Sequence, residues 1–192
     1  MIDPGCQREA LPKADRQEEG DLADRFRRGD VQAFEQIIER HGEAISQLAS
    51  RLLGWQDGGD LVQDVFAAAW TNRKKFRADC SVKSWLYTLT LNRCKSLWRR
   101  QRLWGRFFAR QTEQAAEAYT PRPAGPDFEP VRKAVQALPD QYRRPVVLKY
   151  LEELETEEIM SLLKISRSAL NTRLSRGRQL MKEALKDWNQ KP

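Results

Sequence analysis

The chain has 192 residues, 40% of them apolar and 32% charged, proportions that suit a soluble protein with small, divided cores. Three cysteines without CxxC spacing and a single histidine, His41, argue against a zinc site, a disulfide framework or a metal cofactor, so reduced thiols and a cytoplasmic protein are expected. The net charge of +7 is uneven: residues 1–20 sum to −2, 21–64 to −4, 65–110 to +11, 111–130 to −3, 131–160 to −1 and 161–192 to +6.

In chain order, residues 1–20 are polar and aperiodic and are expected to form a disordered tail. Leu22, Phe26, Phe34, Ile37, Ile38, Ile45, Leu48, Ala49 and Leu52 then recur at helical steps, with His41 as a core-edge side chain in the stripe. Adjacent glycines in "GWQDGGD" break the pattern. "DLVQDVFAAAWTNRKKF" restarts it, with Asp60 suited to cap the first turn and Leu61, Val62, Val65, Phe66, Ala69 and Trp70 on the apolar side. Ser81 is placed to cap a further helix through Trp85, Leu86, Leu89 and Leu97. No segment sustains a period of two, so a sheet is not expected, and no run of apolar residues is long enough to span a membrane.

That helix runs into "NRCKSLWRRQRLWGRFFAR", residues 92–110, which holds seven cations, four large aromatic residues and no acid. A membrane-surface helix would gather its aromatics on one side, but Trp98 stands apart from Trp104, Phe107 and Phe108 on a helical wheel. A solvated helix explains the arginines but not four exposed rings. Single-stranded nucleic acid uses both, since bases stack on aromatic faces at about 1–3 kcal/mol each while cations follow the backbone, and this reading is favoured.

Pro121, Pro123, Gly125, Pro126 and Pro130 cannot continue a helix and mark a linker. Beyond it the periodicity predicts short helices near 127–138, 140–151, 156–163 and 167–187, with Pro145 expected to kink the second or delay its start. Thr156 is suited to cap the third, with Glu157 and Glu158 in its positive first turn, and "KIS" joins the last two at helix-turn-helix length. On the last helix Leu170, Leu174, Gly177 and Met181 fall on one side, while Ser168, Asn171, Thr172, Ser175, Arg176, Gln179 and Lys182 face the other. Short polar side chains near the helix start can reach base edges while Arg176 and Lys182 meet phosphates, as in a recognition helix; a solvated helix end has a similar pattern.

Three blocks, "DGGDLVQDVFAAAWTNRKKF", "FRADCSVKSWLYTLTLNRCKSLWRR" and "ALPDQYRRPVVLKYLEELETEEIMSLLKISRSALNTRLSRGR", resemble in order and spacing the two domains of a bacterial RNA polymerase sigma factor of the extracytoplasmic-function type, within the sigma-70 superfamily. The resemblance covers about residues 21–110 and 131–186. It implies an all-α protein of two small helical domains, an N-terminal sigma domain over 21–110 and a C-terminal helix-turn-helix domain over 131–192. A flexible Pro-rich linker over 111–130 would join them and run along the RNA exit path. It also implies a promoter-specific initiation factor with no active site and no cofactor. The implied partners are core RNA polymerase and promoter DNA, both duplex and single-stranded, with an anti-sigma factor left open and no membrane insertion.

By the same resemblance the helix over 57–70 meets the polymerase clamp, and Asp60, Gln63, Asp64 and Ala67 form its contact face. Residues 76–100 would capture unpaired bases of the minus-ten element, with Asp79, Ser81, Lys83, Trp85, Asn92, Arg93, Arg99 and Arg100 as candidates; Trp85 is also the obvious core anchor. Opening DNA costs about 1.4 kcal/mol per base-pair step, so a factor without ATP offsets it by trapping flipped bases. The helix over 166–178 would read the minus-thirty-five element through Arg167, Ser168, Asn171, Thr172, Ser175 and Arg176. Departures from the family pattern are Val82 for a usual phenylalanine, Leu91 for a cation, Ser96 for an aspartate, Lys164 for a turn glycine, and Ser168, Ala169 and Asn171 for Gly-Thr and Lys. Two other classes also fit a C-terminal reader helix: a stand-alone helix-turn-helix regulator, and a small recombinase or nuclease, which would need clustered carboxylates or an activated serine.

Overall fold

The computed structural model describes residues 13–53, 55–77, 81–108 and 129–186. Among these residues the regular structure is entirely helical, with no strand. A first lobe contains α1 (Lys13–Arg28), α2 (Val31–Leu53), α3 (Trp55–Asn72), a 3-10 turn (Arg73–Lys75) and α4 (Val82–Phe108). A second contains α5 (Glu129–Ala137), α6 (Asp140–Tyr150), α7 (Thr156–Leu163) and α8 (Arg167–Ala184). The linker predicted over 111–130 lies outside the described residues as far as 128, and its last two residues, Glu129 and Pro130, belong instead to the first turn of α5, where proline is tolerated.

Two expectations for the first lobe are corrected. The tail expected over 1–20 is helical from Lys13. The cause is tertiary: Leu22, Ala23 and Phe26 are buried and commit the helix, and Glu19 reaches across to accept from the Val82 amide at 3.3 Å, at the start of α4. The break expected at Gly58 and Gly59 does not occur either, because α3 begins at Trp55 and runs through both. Each glycine lowers helix propensity by about 1 kcal/mol. Burial of Leu61, Val65, Phe66 and Ala69 offsets that, and Asp60 consequently lies inside the helix rather than at its cap.

The real break comes earlier. Gly29 adopts a φ of +93°, which ends α1. Asp30 then caps α2, its Oδ1 accepting from the Gln32 and Ala33 amides at 2.9 and 3.3 Å while Arg25 donates to Oδ2 at 2.8 Å. The Ala33 amide, followed by Arg25, holds the Asp30 carboxyl below its ordinary value. Inside the lobe an aromatic cluster joins all four helices and Phe76, just after the 3-10 turn: Phe26 and Phe34 stack at 5.7 Å, Phe34 meets Trp70 at 5.0 Å, Phe26 meets Trp85 at 6.0 Å, and Trp85 meets Phe76 edge-on at 5.2 Å.

In the second lobe Val147, Leu148, Ile159 and Leu170 are buried and bind three helices together. α8 crosses α6 so closely at Gly177 that a Cβ there would lie 2.6 Å from Val146 Cγ2. Pro145 does not delay α6, which starts at Asp140 with the Tyr142 and Arg143 amides donating to Pro139 O. Proline lacks an amide, so Gln141 O loses one helical donor, and burial of Pro145, Val146, Val147 and Leu148 carries the helix through. The cap of α7 is Glu155 rather than Thr156: its amide donates to Glu158 Oε2 at 2.9 Å, and Thr156 is the first helical residue.

The divided core expected from the sequence is instead continuous across the lobes. Arg51 at the end of α2 donates to Glu152 Oε1 at 2.7 Å and to Leu151 O at 2.6 Å. Tyr87 of α4 donates its hydroxyl to Glu152 Oε2 at 2.7 Å. Arg143 of α6 donates to Leu52 O at 2.8 Å and lies 5.4 Å from the Trp98 ring centre. No helix among the described residues is long and apolar enough to cross a membrane.

Candidate nucleic-acid interface

The helix-turn-helix is built from α7, a three-residue turn and α8. Lys164 closes α7 in the left-handed region, with φ 55° and ψ 51°, and the Ile165 amide returns to Met160 O at 3.2 Å. Ser166 then caps α8 by accepting from the Ala169 amide at 3.2 Å. Leu170 and Gly177 face inward, which turns Arg167, Ser168, Asn171, Thr172, Ser175 and Arg176 outward, and all six are exposed. Arg167 pairs with Glu157 at the start of α7, which steadies the angle between the two helices. Thr172 donates to Ser168 O at 3.0 Å, so its hydroxyl oxygen remains an acceptor toward solvent. Arg176 donates to Gln179 at 2.8 Å. Arg178, which the sequence reading left out, adds another exposed cation on this helix.

α4 carries the second surface. Leu91, Cys94 and Trp98 are buried on one side, so Asn92, Arg93, Arg99 and Arg100 stand exposed on the other with Lys95 and Ser96. Lys83 is half-exposed near the helix start, its ammonium 5.9 Å from the Tyr87 ring centre. Burial pushes the Cys94 thiol up to about 12, which leaves it protonated and inert.

Two of the predicted minus-ten residues are not on this surface. Ser81 is buried and caps α4, its Oγ accepting from the Ser84 amide at 3.2 Å. Trp85 is only 3% exposed, packed between Phe26 and Phe76, with its indole N–H buried and unpartnered. The aromatic demand of the core outweighs exposure at that position. Asp79 lies outside the described residues, as do the side chains of residues 101–108 in the last turns of α4. Lys74, Lys75 and Arg77 supply further exposed cations just before α4. They lay within the basic block of the sequence and were not singled out.

α3 presents a different chemistry. Asp60, Gln63, Asp64 and Ala67 recur at helical spacing and all four are exposed, because Leu61, Val65, Phe66 and Ala69 bury the opposite side. Thr71 donates to Ala67 O at 2.8 Å at the end of this strip. The face is acidic and amide-bearing, next to the cationic α4, which suits a protein partner rather than a phosphate backbone. No group of His, Cys, Asp and Glu among the described residues is arranged to hold a metal ion.

Comparison with known proteins matches both lobes. The family described as Sigma-70 region 2 matches residues 37–103, and Sigma-70, region 4 matches residues 128–181. The chain is 28% identical over 174 residues to the ECF RNA polymerase sigma factor SigW of Bacillus subtilis (strain 168), covering 84% of this chain and 93% of that protein. It is 30% identical over 167 residues to the RNA polymerase sigma factor NccH of Alcaligenes xylosoxydans xylosoxydans, covering 82% and 89%. Among solved structures, CnrH in complex with the cytosolic domain of CnrY superposes with a TM-score of 0.65 at 26% identity, over 88% of this chain and 97% of that one.

Proposed function

The chain belongs to the extracytoplasmic-function RNA polymerase sigma factors, and on that premise we propose that it is a cytoplasmic promoter-specific initiation factor, without an active site, whose three helix faces divide the work. The face of α8 reads duplex DNA of the minus-thirty-five element: Asn171, Ser168 and Thr172 reach base edges, while Arg167, Ser175 and Arg176 hold phosphates. The face of α4 takes the unpaired strand of the minus-ten element, with Lys83, Asn92, Arg93, Arg99 and Arg100 along its path. The acidic strip of α3 docks on core polymerase. Ser81 and Trp85 act beneath the surface by fixing the start of α4, and Asp79 keeps its sequence-based assignment to the minus-ten site. A second protein partner, of the kind CnrH has in the cytosolic domain of CnrY, fits the same reading, and the anti-sigma factor left open by the sequence would be such a partner.

The observation that carries this reading is the exposure of all six predicted minus-thirty-five residues on one face of the second helix of a helix-turn-helix. Run-off transcription with purified core polymerase over a random promoter library tests it. Transcripts from a defined subset of templates are expected only when the chain is added. Tight, specific binding to duplex promoter DNA without polymerase would instead mark a stand-alone regulator.

A further inference from the structure

α4 begins with a deficit that its own sequence cannot fill. Its 27 residues carry no acid, and Lys83 puts a cation in the first turn, where the positive end of the helix disfavours one. The first amides of any helix also lack partners within it. Ser81 takes one of them, accepting from the Ser84 amide at 3.2 Å. The Val82 amide is satisfied from another helix: the half-buried Glu19 of α1, 63 residues away in the chain, accepts it at 3.3 Å. One carboxylate thus supplies both the acceptor and the negative charge that α4 lacks.

α1 also grips the approach to α4. Gly29, just past the end of α1, lies so near the 3-10 turn that an added Cβ would be 3.3 Å from Arg73 Nε. Between these two points Phe26 meets the Trp85 ring at 6.0 Å, and Phe76 meets the same ring at 5.2 Å. The indole N–H of Trp85 is buried without a partner, so that residue anchors the first turn by apolar packing alone. Such packing is non-directional. The register of the turn is therefore left to the hydrogen bonds from Ser81 and Glu19. Lys83 follows the capped amide directly, and Asn92 and Arg93 lie about three turns further along the same helix.

We propose that Glu19 is a positioning residue for capture of the minus-ten strand: acting through the Val82 amide and not on DNA itself, it holds the first turn of α4, with Lys83, in the conformation that binds. The proposal rests on the functional reading above, which gives the exposed face of α4 its ligand. Loss of the cap lowers the fraction of chains in which that turn is formed, and apparent capture weakens by the same factor.

Two measurements test it. Amide hydrogen exchange on the free full chain reads the turn directly, and Glu19→Ala is expected to speed exchange at the Val82, Lys83 and Ser84 amides by about 3- to 10-fold, the size of a lost cap. The consequence is read with core polymerase carrying the chain, bound to a promoter recovered from the random library and prepared with its minus-ten strand unpaired. Glu19→Ala should weaken this binding by about 3- to 10-fold while affinity for polymerase stays unchanged. Glu19→Gln keeps an acceptor without the charge and should fall between. Val82→Pro removes the amide at a position where a helix accepts proline, and in that background Glu19→Ala should cost less than about 2-fold further. Unchanged exchange, unchanged binding to the unpaired probe, an undiminished loss in the Val82→Pro background, or an equal loss of polymerase affinity overturns the proposal. If the unmodified chain recovers no promoter while Glu19→Ala still speeds exchange, the functional reading fails instead, and Glu19 keeps only its part in the fold.

Discussion

Lys164 sits at φ 55°, where a side chain crowds its own backbone and glycine does not. The turn between α7 and α8 demands that geometry whatever residue occupies it. Lys164→Gly is therefore expected to raise stability by about 0.5–1 kcal/mol in urea denaturation, the relief of strain exceeding the greater freedom of glycine in the unfolded chain. Asp30 offers a pH-dependent case. Its folded pKa lies below the ordinary 3.8, chiefly through the Ala33 amide and then Arg25. Its stabilisation of α2 is thus present above 3.8 and is lost as pH falls through the lower folded value. Asp30→Asn keeps an acceptor for the cap and has no proton to gain, so melting curves across the acid range should fall less steeply for this variant. At this scale the sequence was legible where chemistry is local, as at Ser81, which caps the helix it precedes. It was not legible at Glu19, whose partner Val82 is 63 residues away.

Each functional helix is a single amphipathic element whose buried side aims the other. On α8, burial of Leu170 and Gly177 orients the face proposed to read duplex DNA. Asn171→Ala and Arg176→Ala should each lower promoter-specific initiation by an amount equivalent to about 1–3 kcal/mol for a base contact and less for a phosphate contact. Polymerase binding, measured by titration, should be unchanged in both. On α3 the sign reverses: Asp64→Arg places a cation in the acidic strip and should weaken the polymerase complex at least several-fold while leaving the fold intact, since Asp64 is exposed. The periodicity revealed these faces because exposure along a regular helix follows from the positions of its apolar residues. It failed at the start of α3, where the glycine signal was overridden by burial of the residues that follow, whereas the range near 140–151 held for α6 and only the late start expected from Pro145 did not occur.

Between the lobes, Arg143 ties the α5–α6 connection at Leu138 O and reaches Leu52 O in the first lobe, beside an apolar core that both lobes share. Calorimetry of the full chain should show one cooperative transition. Arg143→Ala should split it into two, the second lobe melting first, because the coupling between lobes is lost together with the brace on α5.

The helical class, the two lobes, the recognition helix and the polar faces of α3 and α4 were all contained in the sequence, since each depends on residues a few positions apart. Which aromatic residues became core and which stayed at the surface, where α1 starts, and that the lobes dock at all were decided by contacts between distant segments. Trp85 shows the difference: the sequence offered it both as a core anchor and as a minus-ten candidate, and Phe26 and Phe76 closing over it select the core. Burial is a property of the assembled helices, and only their packing assigns it.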